Sequence, residues 1–137
     1  MLAKPRCIAF ACALQLALVL GVWPANAAHS SSLVGAYTCA LASGEFNYPA
    51  LACKIVKRKA KDGSGRSLWF EKSAGSQRIR GWVAPQEHGF DVDGEFYCPR
   101  GACSEKVQIR FVPHEGGFRG QLEHGQGGTI TIDLRRK

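Results

Sequence analysis

The sequence predicts an all-β fold, a small antiparallel up-and-down meander of about eight strands closed or nearly closed into a barrel, with two hairpin disulfides. Three observations lead there. Apolar and polar residues alternate with period two through four consecutive segments of the second half. Turn-forming clusters recur at short, even spacing from Ser43-Gly44 to His124-Gly125-Gln126-Gly127. Two pairs of cysteines bracket two of those turns, Cys39 with Cys53 and Cys98 with Cys103.

The first segment places Leu33, Gly35, Tyr37, Cys39 and Leu41 on one face. The next breaks alternation at Lys54-Ile55-Val56-Lys57, which reads as a β-bulge. Trp69-Phe70 leaves its facing open. Ile79, Gly81 and Val83 then face in, with Arg78, Arg80 and Trp82 facing out. From Phe90 the pattern is clean. Phe90, Val92, Gly94 and Phe96 oppose Asp91, Asp93, Glu95 and Tyr97. Val107, Ile109 and Phe111 oppose Lys106, Gln108 and Arg110. Phe118, Gly120 and Leu122 follow, and then Ile130, Ile132 and Leu134. Each segment therefore has one buried and one wet face. Short links favour the meander barrel over a two-sheet sandwich, which remains the alternative. Gly35, Gly81, Gly94 and Gly120 are expected where strands bend sharply. A weak repeat relates Gly35–Cys39 to Gly94–Cys98, and Ala52-Cys53 to Ala102-Cys103, suggesting two four-strand halves.

Residues 1–27 read as a secretory signal peptide. Lys4 and Arg6 precede an apolar run from Cys7 to Trp23, and Ala25-Asn26-Ala27 is a small-residue cleavage site. The expectation is an exported domain over 28–137, periplasmic or extracellular, with no further segment apolar enough to span a bilayer. The whole chain carries +7; eighteen Lys and Arg less the two in the leader leave sixteen against eleven acidic residues, a net of +5. That suits a solvated basic surface or a polyanionic partner.

Cys7 and Cys12 leave with the leader, and the remaining four cysteines of an exported chain read as disulfides. Cys39 and Cys53 are symmetric about Phe46, and Cys98 and Cys103 about Arg100-Gly101. Directly opposed strand residues lie about 4.5–5.5 Å apart at Cα, within disulfide reach. The expected bonds are Cys39–Cys53 and Cys98–Cys103. Neither spacing suits zinc, and no C-x-x-C redox pair is present.

Catalytic signatures are missing. There is no G-x-S-x-G elbow, no phosphate-binding glycine loop and no H-E-x-x-H. The chain is accordingly read as a non-enzyme with no cofactor and no metal. His88, His114 and His124 all fall in turns; in a meander, only His88 and His114 share an end. Asp91, Asp93 and Glu95 form a wet acidic ladder, expected to pair with Lys106 and Arg110 of the next strand.

The densest positive run is Lys54 to Lys61, followed by a turn and Arg66. On a hairpin it makes a basic finger beside Trp69. Lys57, Arg58, Lys59, Lys61, Arg66 and Trp69 are the candidate binding residues, for a macromolecule or envelope component bearing phosphate or sulfate. Export argues against nucleic acid. A second reading rests on resemblance. Tyr37-Thr38-Cys39, the leader and the predicted small barrel are similar to bacterial envelope inhibitors of c-type lysozyme. Ser73-Ala74-Gly75-Ser76-Gln77-Arg78 looks like the loop that this family inserts into the lysozyme cleft. The resemblance implies that Ser73, Ser76 and Arg78 are the inserted residues. It departs in its cysteines, since the family ties its first-strand cysteine to one near the C-terminus, absent here. A third reading is a small-ligand carrier, which the expected solid core disfavours.

Overall fold

A computed structural model describes residues 32–101, 103–125 and 128–137. The leader assigned to 1–27 and His29 lie outside the described residues. The chain forms β1 (Gly35–Ala42), β2 (Asn47–Lys57), β3 (Leu68–Lys72), β4 (Arg78–Gln86), β5 (Gly89–Tyr97), β6 (Ser104–His114), β7 (Gly117–His124) and β8 (Gly128–Arg136). Every strand pairs antiparallel with its sequence neighbours, and β8 returns to β1 to close the barrel. Closure gives every strand a neighbour on both sides. The expected fold class is what forms.

Parity sorts the side chains as expected. Leu41, Ile55, Phe70, Ile79, Val92, Ile109 and Ile132 all point inward and are almost fully buried. The two ends are filled differently. One end carries the 58–67 hairpin, the turns 87–88 and 115–116, and both the start of β1 and the end of β8. Near it Phe90 stacks on Phe111 with centroids 4.8 Å apart, and Phe118 meets Phe90 edge-on at 5.1 Å. Leu33 plugs the same end, 2 % exposed, with its carbonyl accepting a 2.6 Å hydrogen bond from the Tyr37 hydroxyl. The opposite end, the mouth, carries the loops 43–46 and 73–77, the turn 98–101 and Gly125.

Gly81 and Gly94 face each other across β4 and β5. A Cβ on Gly94 would lie 2.0 Å from the Arg80 carbonyl oxygen and 2.5 Å from Gly81 Cα. The strands thus approach more closely than any side chain allows, which is how an eight-stranded wall bends tightly.

Both expected disulfides form. Cys98 and Cys103 are directly opposed, with Cα atoms 5.0 Å apart and the Cys98 amide donating to the Cys103 carbonyl at 2.9 Å. Gly101, at φ 76°, turns that loop. Cys39–Cys53 differs from the symmetric expectation. Cys53 pairs with Tyr37, and Cys39 with Leu51, so the bond is diagonal, with Cα atoms 5.9 Å apart. The cause is the turn, which centres between Gly44 and Glu45, where Ala42 pairs with Asn47, and not on Phe46; an extra residue at Pro49-Ala50, where the register shifts between Cys39 and Leu41, recovers one position of that offset. Proline has no amide hydrogen to give the ladder, and a bulge accommodates it. The bulge therefore sits there and not at Lys54–Lys57, whose pairing with β3 is regular.

The acidic ladder is corrected in part. Asp91 pairs with Arg110, as expected, at 2.7 and 2.8 Å. Glu95 instead takes its cation from the other side, Arg80 of β4. Asp93 lies 3.9 Å from Arg66 of the basic hairpin.

Candidate functional site

The basic hairpin is an ordered extension of β2 and β3. The Arg58 amide donates to the Ser67 carbonyl and the Ala60 amide to the Arg66 carbonyl, each at 2.9 Å. At the tip, the Ser64 amide donates to Asp62 Oδ1 at 3.0 Å, with Gly63 and Gly65 at positive φ. Hydrogen bonds from Ser64, then from Arg66, hold the Asp62 carboxyl well below the usual carboxylate range.

The hairpin does not stand out along the barrel axis as a free finger. It leans over the outer wall of β3 to β5. Arg58 lies over the Trp69 ring at 4.5 Å, and Arg66 over the Trp82 ring at 5.1 Å. The two indoles meet edge-on with centroids 4.9 Å apart. The order is Arg58, Trp69, Trp82, Arg66, a continuous stack across two strands. Each exposed cation–aromatic contact contributes about 0.5–1 kcal/mol, enough to hold a guanidinium in place without neutralising it.

The candidate residues divide into two groups. Arg66 is spoken for, paired with Asp62 and near Asp93. Lys57, Arg58, Lys59 and Lys61 are exposed, and none has a carboxylate partner among the described residues. Arg136 finishes β8 at this same end, and Lys137 follows it. Trp82 was read as outward-facing but not as part of the site. Trp69 and Trp82 are equidistant from Gly75-Ser76, so the symmetry that pairs the cysteines also pairs the indoles.

The mouth holds a residue that sequence reasoning passed over. Lys72 continues the inward row of Leu68 and Phe70, and is 4 % exposed. Its Nζ donates to the Ala74 carbonyl at 2.9 Å and also to the Gln77 carbonyl. No carboxylate lies within ion-pair distance among the described residues. Burial, with a smaller contribution from Arg78, pushes its ammonium below the ordinary lysine value. Taking an ammonium out of water costs several kcal/mol even after relaxation. Charge-assisted hydrogen bonds return about 1.5–3 kcal/mol each. Lys72 is thus held from above by the loop it supports.

That loop is the one carrying Ser73, Ser76 and Arg78. Ser73 and Ser76 are exposed at the mouth. Arg78 is half-buried, and its Nε points back to the Gly75 carbonyl at 3.4 Å. The loop therefore presents its serines but not its guanidinium. It lies at the end opposite the basic hairpin, as the meander order requires.

His88 and His114 share the hairpin end, each 3.8 Å from a neighbouring glutamate, Glu87 and Glu115. Among the described residues, no three His, Cys, Asp or Glu side chains are grouped to hold a metal ion. No described helix is long and apolar enough to cross a membrane.

Compared with known proteins, the chain matches no family model, no curated protein and no solved structure.

Proposed function

We propose that this is an exported, non-catalytic binding module that engages a polyanionic macromolecule or envelope component through its basic hairpin. The observation that carries the reading is the separation of neutralised from free charge. Arg66 and Asp62 satisfy each other and order the hairpin tip. Lys57, Arg58, Lys59 and Lys61 are left as exposed cations on a rigid support, with Arg58 seated on Trp69. A guanidinium already stacked on an indole loses little freedom when it binds a phosphate or sulfate oxygen. Lysines flanking it attract the same anions at longer range and release their counterions. The rest of the outer wall is closer to balance, since Arg110, Arg119 and Lys54 are matched to Asp91, Asp133 and Glu71.

Salt-dependent retention on heparin tests the reading. The wild-type protein is expected to elute later than Lys57→Ala/Lys59→Ala/Lys61→Ala, and Arg58→Ala is expected to elute early as well. A control replacing Arg110, which is paired and remote, should elute with the wild type. Equal retention of the triple variant and the wild type would rule the hairpin out as the binding element.

A further inference from the structure

The barrel is sealed at the hairpin end by stacked phenylalanines and Leu33. At the mouth the core stops short. A recess of about 140 Å³ opens there, walled by Leu41, Phe46, Leu51, Phe96 and Ile130, with Tyr48 at its rim. The Lys72 side chain lines it, together with Gly75, Ser76 and Gln77 of the loop. It opens outward into a wider cleft of about 520 Å³ between the 43–46 and 73–77 loops.

We infer that this recess is a binding site for a small, largely apolar carboxylate, with the anionic head on the Lys72 ammonium and the apolar body against Phe96, Leu41 and Ile130. The site is at the opposite end of the barrel from the basic hairpin and stands independently of the function proposed for it.

Three features point to this ligand class. An ammonium has three hydrogens to donate, and the Ala74 and Gln77 carbonyls take two. A third donor and a whole positive charge remain without a carboxylate partner among the described residues. Burial lowers the dielectric around that charge, so an entering anion gains more there than at any surface lysine. The walls are apolar and aromatic, which excludes a strongly hydrated anion such as free phosphate. The volume admits a single small body, since a cavity of about 150 Å³ accommodates benzene. Tyr48, 50 % exposed, and Phe46 lie tilted against each other with centroids 5.1 Å apart and form the entrance. Glu45 lies on the outer cleft but does not line the inner recess, so the negative charge at the rim is not in contact with the proposed head group.

The test compares benzoate, benzyl alcohol and benzylamine, which share a ring and differ in charge. Each is titrated into isotope-labelled protein, and backbone amide shifts are followed. Benzoate is expected to move the amides of residues 46–51 and 72–77. Its affinity should exceed that of benzyl alcohol by about tenfold or more, the contribution of one charge-assisted hydrogen bond. Benzylamine should be weaker still. Lys72→Met should reduce benzoate to the level of the alcohol. Tyr48→Glu, a change at an exposed rim, should weaken benzoate while leaving benzyl alcohol within a factor of a few, and serves if the Met variant does not fold. Equal binding of acid and alcohol would overturn the inference. So would benzoate shifts confined to residues 57–66, or no shifts at the ligand's solubility limit.

Discussion

Lys72 has a cost as well as a use, and the cost is measurable. Lys72→Met keeps the length and apolar stem of the side chain and removes the buried charge. The variant loses two charge-assisted hydrogen bonds, about 1.5–3 kcal/mol each. It also escapes an ammonium desolvation penalty of several kcal/mol. The carbonyls released belong to Ala74 and Gln77, in a loop whose residues 73, 75, 76 and 77 are exposed. Water takes over as their donor. The two effects are of one size, so global stability is expected to change by no more than about 1 kcal/mol in either direction. Losing one partner of a buried ion pair would instead cost about 3–5 kcal/mol.

The pH dependence separates this account from a simple packing change. Burial, reinforced by Arg78, lowers the folded Lys72 pKa below its unfolded value of 10.5. Below the folded pKa both states are protonated and the burial penalty is present in full. Between the folded pKa and 10.5 the unfolded chain binds more protons, so this lysine makes stability rise with pH across that window. Tyr37 acts in the opposite direction. Burial raises its phenol above 10.0, and its contribution falls as pH climbs through the folded value. Tyr37 is unchanged in the variant, so the difference between the two proteins isolates Lys72. Urea unfolding of both, from about pH 7 to about pH 10, should show the wild type gaining on Lys72→Met as pH rises. A Met variant more than about 3 kcal/mol less stable at neutral pH, or a difference flat with pH, would refute the reasoning.

The disulfides should differ in weight. Cys39–Cys53 closes a separation of 14 residues and Cys98–Cys103 one of 5; loop-closure entropy gives about 3 and about 2 kcal/mol respectively. Cys39 and Cys53 are also buried at 0 % and 5 % exposure, so their double alanine variant leaves a void as well. Denaturant midpoints should rank it as the more damaged, and the reverse order would contradict the packing. Acid should act through two half-buried carboxylates. Hydrogen bonds from Arg110 and Arg119 hold Asp91 and Asp133 below the ordinary carboxylate value of 3.8. Their stabilisation is present above that value and lost as pH falls through the depressed folded values. Asp91→Asn/Asp133→Asn should flatten the acid limb of melting temperature against pH, and an unchanged limb would assign acid sensitivity to other groups.

Period-two alternation made the barrel legible because it decides which face of each strand is buried, and eight one-faced strands joined by seven short turns leave little else for the chain to build. Alternation does not fix register. Register placed Trp82 beside Trp69, and that depends on which residues flank the centre of the 73–77 loop. Symmetry about Gly75-Ser76 gives the right answer there, but the same symmetry about Phe46 misplaces Cys39 by two residues. The turn centres between Gly44 and Glu45, where Ala42 pairs with Asn47, and the residue that the Pro49-Ala50 bulge adds recovers only one position of the offset. Sequence symmetry is thus a sound guide to a hairpin only when the turn forms at the midpoint of the paired residues. A lysine after Leu68 and Phe70 was readable as a violation of the pattern. What it meant was not, because burial of its head depends on the carbonyls of a loop that folds back over it.

Strand count also determines which end of the barrel is open. With eight strands, an even number, β1 begins and β8 finishes at one end. The segment leading into β1 therefore arrives at that end, and Leu33 enters the core there. Phe90 follows the 87–88 turn and Phe111 and Phe118 flank the 115–116 turn, so the largest side chains converge on the same end. The mouth receives neither the start of β1 nor the end of β8, and none of these rings. Its inward positions are Leu41, Phe96, Ile130 and Lys72, one of which spends its volume on a charge that must stay near polar atoms. A recess at the mouth follows from that distribution. The hairpin end, sealed and carrying the unpaired lysines, has only its outer surface to offer a partner. The two proposed sites accordingly lie at opposite ends of the barrel, a surface for a large polyanion at one and a pocket for a small carboxylate at the other.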